Sequence, residues 1–347
     1  MAKVFVGMSG GVDSSVTAAL LVDQGYNVTG VFMKNWAQDL PGFTCPWRED
    51  LADAKRVAVQ LDIPFKVYDF QTEYKQKVVD YMITEYQAGR TPNPDIMCNQ
   101  EVKFKLFLET AIEDGADMIA TGHYAKSING ELGIAKDTNK DQTYFLYRVS
   151  SDALKRTLFP LGEMEKPQVR KIAQNKKLIT AAKKDSVGIC FVGEIGIQEF
   201  LGNFVTTEPG SVVDMVTGIT VGQHDGAIFY TIGQRHGLNI GGGFPYYVVG
   251  KDMIKNEVYV STDIGDPQLW KSELSIAQPH WVTQPPTKTA GLTVRIRHRG
   301  PLLPVTCFQK NSSGYQIILE NKVRAIAPGQ SAVLYQNDIC LGGGIIV

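Results

Sequence analysis

The 347-residue sequence has little cysteine: five residues, an odd number, widely spaced and never arranged as C-x-x-C. That excludes a secreted disulfide framework and the usual zinc spacings, and points to reduced thiols in a cytoplasmic protein. Long apolar runs are missing, since nothing approaches the roughly 20 residues that a membrane span needs. The opening Met1-Ala2-Lys3-Val4-Phe5-Val6 is too short in its apolar part for a signal peptide and meets glycine at once. Charge of one sign is not in excess either, the formal net charge being -1. A nucleic-acid partner must therefore be met by a local basic patch on a neutral whole. There is no internal repeat and no low-complexity segment.

What is present is an apolar content of 44%, enough in a chain of this length for two or three domains. The first ~125 residues alternate strand and helix signals. Strands are expected over 4–6, 28–33, 65–70 and 118–121, and helices over 13–24, 50–61, up to residue 86, and over 101–113. In the first helix Val16, Ala19 and Leu20 share one side. Repeated strand–helix units of this kind give a parallel, doubly wound α/β sheet. Asn129-Gly130 reads as a tight hairpin turn, and Lys166-Pro167 as a helix start. After about residue 205, short β-rich runs are split by glycine and proline, which suggests small β domains including a barrel. The expected division is a catalytic domain over 1–204, a small β-rich central domain over 205–266 and a C-terminal β-barrel over 267–347.

The sharpest signal is Gly7-Met8-Ser9-Gly10-Gly11-Val12-Asp13-Ser14-Ser15, placed after the first strand and at the start of a helix. Small residues let backbone N–H groups close on a phosphate, and the helix N-terminus adds partial positive charge. Ser9, Ser14 and Ser15 can donate further hydrogen bonds, and Asp13 can hold Mg²⁺ or cap the helix. The string lacks the Gly-Lys-Ser/Thr of a Walker loop and the spacing of a dinucleotide fingerprint. It resembles the PP-loop of the ATP-pyrophosphatase superfamily. That resemblance implies cleavage of ATP between its α and β phosphates and an adenylated substrate.

Two cysteines stand in unusual surroundings. Cys98 ends Thr91-Pro92-Asn93-Pro94-Asp95-Ile96-Met97-Cys98, whose prolines make a rigid, non-helical approach. A helix starting near residues 99–101 puts Cys98 at its N-terminus, where thiolate is favoured. Asp95 is an alternative base, although its charge raises a thiol pKa. Cys190 follows Lys183-Lys184 and lies between Gly188 and Gly193. Cys45, Cys307 and Cys340 read as core residues, the commonest fate of a free cysteine. Two basic features are candidate phosphate contacts: Arg295, Arg297 and Arg299 on one face of an expected strand, and seven Lys or Arg with no acid over 166–184.

Taken together, the ordered strings resemble the tRNA-specific 2-thiouridylase family almost end to end. They include Phe32-Met33-Lys34-Asn35-Trp36, Ala120-Thr121-Gly122-His123-Tyr124, Asn139-Lys140-Asp141-Gln142, Gly188-Ile189-Cys190-Phe191 and Pro328-Gly329-Gln330. The resemblance implies ATP-dependent 2-thiolation of the wobble uridine of tRNA. It makes Cys98 the nucleophile and Cys190 the persulfide carrier, joined transiently as a disulfide. It implies an ATP site at residues 7–14, Met33 and Gly122, and a target-base segment at Asn93-Pro94-Asp95. The tRNA contacts it implies are His123, Lys140, Asp141, Gln142, Gln330 and the pair Arg297-His298, more often Arg-Tyr in relatives. The partners it implies are a tRNA of the Lys, Glu or Gln type and a sulfur donor such as a cysteine desulfurase or relay protein, with no DNA and no membrane.

Rival readings are another PP-loop synthetase, a non-enzymatic tRNA-binding protein with a relict nucleotide fold, and a thiolase with an iron–sulfur cluster on Cys98, Cys190 and Asp95. A synthetase tolerates loss of both cysteines, and a relict fold releases no pyrophosphate.

Overall fold

The computed structural model describes residues 1–41, 44–185, 196–238, 240–241, 243 and 245–347. Cys190, with the rest of 186–195, lies outside the described residues.

The first sheet contains β1 (Lys3–Gly7), β2 (Asn27–Lys34), β3 (Phe65–Asp69), β4 (Met118–Ala120) and β7 (Thr157–Leu158). All pair in parallel in the order β3-β2-β1-β4-β7. The order reverses direction between β1 and β4, and ligands of open parallel sheets bind beyond the strand ends at such a point. Val4, Phe5 and Val6 are fully buried, as a strand covered on both faces requires.

Helix α1 (Val12–Asp23) packs against the helix Lys166–Asn175 and is buried around most of its circumference, Ser14, Ser15 and Thr17 included. Val16 and Ala19 are fully buried, whereas Leu20 is only partly covered. Helix α2 (Trp47–Gln60) buries a narrower face through Ala54, Val57 and Ala58.

One expectation of local structure changes and one holds. The helix carrying Cys98 begins at Pro94, with Asn93 as its cap, and runs through a π-helical stretch at Cys98–Leu106 to Glu113. Proline suits a first helical turn, because the N–H it lacks has no helical partner there. The Asn129-Gly130 hairpin forms, with φ of 53° and 85° at its two central residues. Its strands, β5 (Lys126–Ile128) and β6 (Glu131–Gly133), do not extend the first sheet. Instead β6 pairs with β17 (Ile339–Ile346), the last strand of the chain.

The middle of the chain forms a four-stranded sheet in the order β10-β11-β8-β9, from β8 (Gly210–Asp214), β9 (Thr220–His224), β10 (Tyr247–Asp252) and β11 (Glu257–Ser261). The remaining strands are β12 (Trp270–Trp281), β13 (Leu292–Arg295), β14 (Leu303–Lys310), β15 (Gly314–Arg324) and β16 (Ser331–Gln336). Together with β17 they run β12-β15-β14-β13-β16-β17, and β17 pairs back with β12 to close a barrel. The fold is thus α/β, with a parallel sheet first, a small β domain in the middle and a barrel last.

Thr91 is where these three parts meet. Its N–H donates to Pro328 O at 2.9 Å, its carbonyl accepts from Gln330 Nε2 at 2.7 Å, and its hydroxyl lies 2.9 Å from that of Thr231. A Cβ on Gly329 would sit 2.7 Å from Thr91 N, so the approach of that turn needs glycine.

Candidate active site

The turn after β1 is shaped by its own small residues. Gly10 has φ of 75°, and a side chain there would meet the Asp50 carbonyl at 2.4 Å. The Ser14 hydroxyl accepts from Ser9 N at 3.1 Å and donates to Gly11 O at 3.1 Å, and Ser15 Oγ donates to Gly11 O at 2.8 Å. All three hydroxyls thus hold the loop, since Ser9 Oγ lies 3.2 Å from Ser14 Oγ and accepts from Gly11 N at 3.4 Å, and of the three residues only Ser9 is exposed. The segment after β4 is pressed against the same loop, because a Cβ on Gly122 would lie 2.8 Å from Ser14 N. Met33, at the end of β2, approaches Gly7, whose Cβ would meet Met33 Cε at 3.0 Å. The expected ATP residues therefore converge on one loop at the switch point.

Beside the loop is a charge network that the sequence did not reveal. Lys166 Nζ lies 2.7 and 2.8 Å from the two Asp13 oxygens and 2.9 Å from Asp185. Tyr124 donates to Asp13 at 3.0 Å. Asp185 also holds Lys140 at 2.7 Å and Arg170 at 2.5 Å. Burial alone would raise the Asp185 carboxyl, but hydrogen bonds from Lys140 and Lys166 overcome it and hold the group well below the carboxylate range. Lys183 pairs with Asp50 and Asp53, and Lys176 with Asp23. Four of the seven cations over 166–184, Lys166, Arg170, Lys176 and Lys183, are therefore paired with carboxylates, and Lys171, Lys177 and Lys184 are exposed.

Asp13, the expected magnesium ligand, is engaged by Lys166. Both Asp13 oxygens face an ammonium, and no group of three His, Cys, Asp or Glu side chains among the described residues is placed to hold a metal ion.

A cavity of about 650 Å³ opens from the loop. Ser9, Asp13, Asp95, Asn99, His123 and Phe145 are among its walls. Asp95, Asn99 and Lys103, spaced four residues apart, present one helix face to it. Burial raises the Asp95 carboxyl, with Lys103 opposing. Cys98 is not at the helix start as expected. It is the fifth helical residue, 4% exposed, and its N–H bonds back to Pro94 O and Asp95 O. A larger cavity of about 900 Å³ lies elsewhere along this helix, with no residue of the loop in its walls.

The expected tRNA contacts are scattered. His123 is buried between Phe104 and Phe159, its Nδ1 2.8 Å from Thr121 Oγ1, and burial pushes its pKa well below the usual histidine value. Lys140 is held by Asp185, and Gln142 accepts from Tyr124 N at 2.9 Å. Asp141 is 1% exposed and accepts from Ala135 N, Thr143 Oγ1 and Arg295 Nη1. Strand β13 ends at Arg295, so the expected arginine face breaks up: Arg295 is buried, Arg297 is exposed and donates to Arg324 O, and Arg299 has φ of 59°. The His298 ring packs against Phe145 with centroids 4.3 Å apart and the planes tilted by 37°, and burial with nearby Arg299 lowers its pKa to about 4. Among the core cysteines, Cys45 and Cys340 are buried as expected, whereas Cys307 is only half-buried.

Comparison with known proteins agrees with this architecture. Three family models match in succession: a tRNA methyl transferase HUP domain over residues 2–194, a tRNA methyl transferase PRC-barrel domain over 198–262 and an aminomethyltransferase β-barrel domain over 271–346. The class is therefore a HUP-domain protein followed by two β modules. The chain is 49% identical to a tRNA-specific 2-thiouridylase MnmA of Salmonella arizonae and 48% identical to one of Escherichia coli, with 99% of this chain and 96% of each relative covered. It belongs to the tRNA-specific 2-thiouridylase family. Among solved structures, a 4-thiouridine synthetase–RNA complex with bound ATP matches 53% of this chain and 43% of its own at 18% identity and a TM-score of 0.38.

Proposed function

We propose that this protein uses ATP to activate the wobble uridine of tRNA and replaces its 2-oxygen with sulfur. The observation that carries the reading is one cavity walled both by the phosphate loop and by the helix face flanking Cys98. A uridine 2-carbonyl is a poor electrophile, and adenylation turns its oxygen into a leaving group. The uridine O2 attacks the α-phosphorus of ATP and pyrophosphate departs into the N–H cradle of residues 9–14. The terminal sulfur of a persulfide on Cys190 then attacks C2 and expels AMP. The Cys98 thiolate attacks the Cys190 sulfur, closing a disulfide and releasing 2-thiouridine. A dithiol reductant returns both thiols, and a protein persulfide reloads Cys190. In this scheme Asp95 and its neighbours Asn93 and Pro94 face the base. Asp13 enters with Lys166 as its counter-ion, so the network trades partners when a triphosphate arrives.

The test is mass analysis of tRNA nucleosides after incubation with ATP, Mg²⁺, a dithiol reductant and a protein persulfide donor. Formation of 2-thiouridine that requires ATP is expected. Intact uridine alongside consumed ATP would contradict the reading.

A further inference from the structure

We infer that Asn99, the residue after the proposed nucleophile, selects uracil over cytosine by accepting a hydrogen bond from the pyrimidine N3–H. The inference rests on the proposed reaction and adds to it the residue that reads the base. Asn99 is 2% exposed and lines the cavity between Asp95 and Lys103. Its amide orientation is fixed, because Nδ2 donates to the Phe145 carbonyl at 3.1 Å and a carbonyl can only accept. The other amide atom, Oδ1, is therefore turned the opposite way, and it is buried without a hydrogen-bond partner. A buried carbonyl left unpaired is destabilising, and an orphan of this kind in a cavity-lining residue calls for a partner.

The surroundings match a planar base. Phe145 and the His298 ring tilted against it line the same cavity. His298 Nδ1 is likewise buried and unpartnered. Asn99 and His298, each with one orphaned polar atom, and the Phe145 ring line the same cavity, and in the proposed complex the base completes the hydrogen bond that Asn99 lacks. Uracil and cytosine differ at N3, where uracil donates and cytosine accepts. A fixed acceptor pairs with the first and opposes the lone pair of the second. A site built to bond a donor rejects a ligand lacking it far better than a merely apolar pocket does.

The experiment compares pyrophosphate release on full-length tRNA carrying U34 or C34 by the wild type, Asn99→Ala and Asn99→Asp. Wild type should favour U34 strongly, and Asn99→Ala should narrow the U34:C34 ratio of kcat/KM by roughly 10-fold or more. Asn99→Asp keeps an acceptor but cannot donate to Phe145, so it should retain most of the ratio. A role limited to bracing Phe145 predicts that Asn99→Asp fails as badly as Asn99→Ala, and that outcome overturns the inference. An unchanged ratio in Asn99→Ala overturns it as well. A wild type that releases no pyrophosphate with U34 tRNA overturns the proposed reaction and this inference together, which separates the two failures.

Discussion

Two charge clusters in this molecule look alike on paper and differ in physics. At the cavity, Lys166 joins Asp13 and Asp185, and the three side chains are 12%, 32% and 30% exposed. At the junction with the barrel, Arg295 meets Asp141, and these side chains are 10% and 0% exposed. The first cluster is wet enough to exchange partners and has more cations than its carboxylates need. The second is sealed, with Asp141 accepting three hydrogen bonds and the Arg295 guanidinium lying 5.2 Å from the Tyr335 ring centroid. The difference separates function from architecture: exchangeable pairs belong to the site, and closed pairs fix the domains around it.

The comparison can be broken most forcefully at Arg295. Arg295→Met leaves Asp141 charged and buried, and should cost about 3–5 kcal/mol in urea unfolding. A loss below about 1 kcal/mol would mean that the junction is not sealed. The next effect lies at the cavity. Lys166→Met removes the counter-charge from Asp13, so KM for ATP should rise roughly 10- to 100-fold, the equivalent of about 1.5–3 kcal/mol for a hydrogen bond to a charged group. Global stability should change by no more than about 1 kcal/mol.

Two smaller effects sharpen the contrast through pH. The Asp185 carboxyl is depressed, so its contribution is complete above the unfolded value near pH 4 and is lost as pH falls through the folded value. Asp185→Asn should remove that acid-side slope, on the order of 1 kcal/mol after solvent screening. His298 is depressed to about 4, so between pH 6.5 and 4 the unfolded chain binds the extra proton. Stability should therefore rise with pH across that window in the wild type. The rise should flatten by about 1 kcal/mol or less in His298→Phe, measured by thermal unfolding at fixed ionic strength.

Local signals were legible in the sequence and long-range partners were not. The string 7–15 follows a strand and opens a helix, and the glycines at 10 and 122 sit where a Cβ would collide with backbone. That information is local and survives in one dimension. The start of the Cys98 helix is hidden because two prolines read as a helix breaker, whereas the second is its first residue, capped by Asn93. The arginine alternation at 295–299 is real in the sequence but tells nothing of Asp141, 154 residues away. Similarly, a cluster of seven cations without an acid looked like an anion surface because Asp13, Asp50 and Asp53 lie far upstream. The hairpin over 126–133 was visible, yet its pairing with the final strand depends on a contact that no local pattern encodes.

The central claim is that the nucleotide is spent on the RNA base before any sulfur moves. The direct measurement uses the Cys190→Ala variant with U34 tRNA and ATP labelled at the α-phosphorus, quenched and resolved on a denaturing gel. The account predicts label covalently attached to the tRNA, one pyrophosphate released per adenylate formed. Label on the protein instead, or pyrophosphate release with unlabelled RNA, would contradict it.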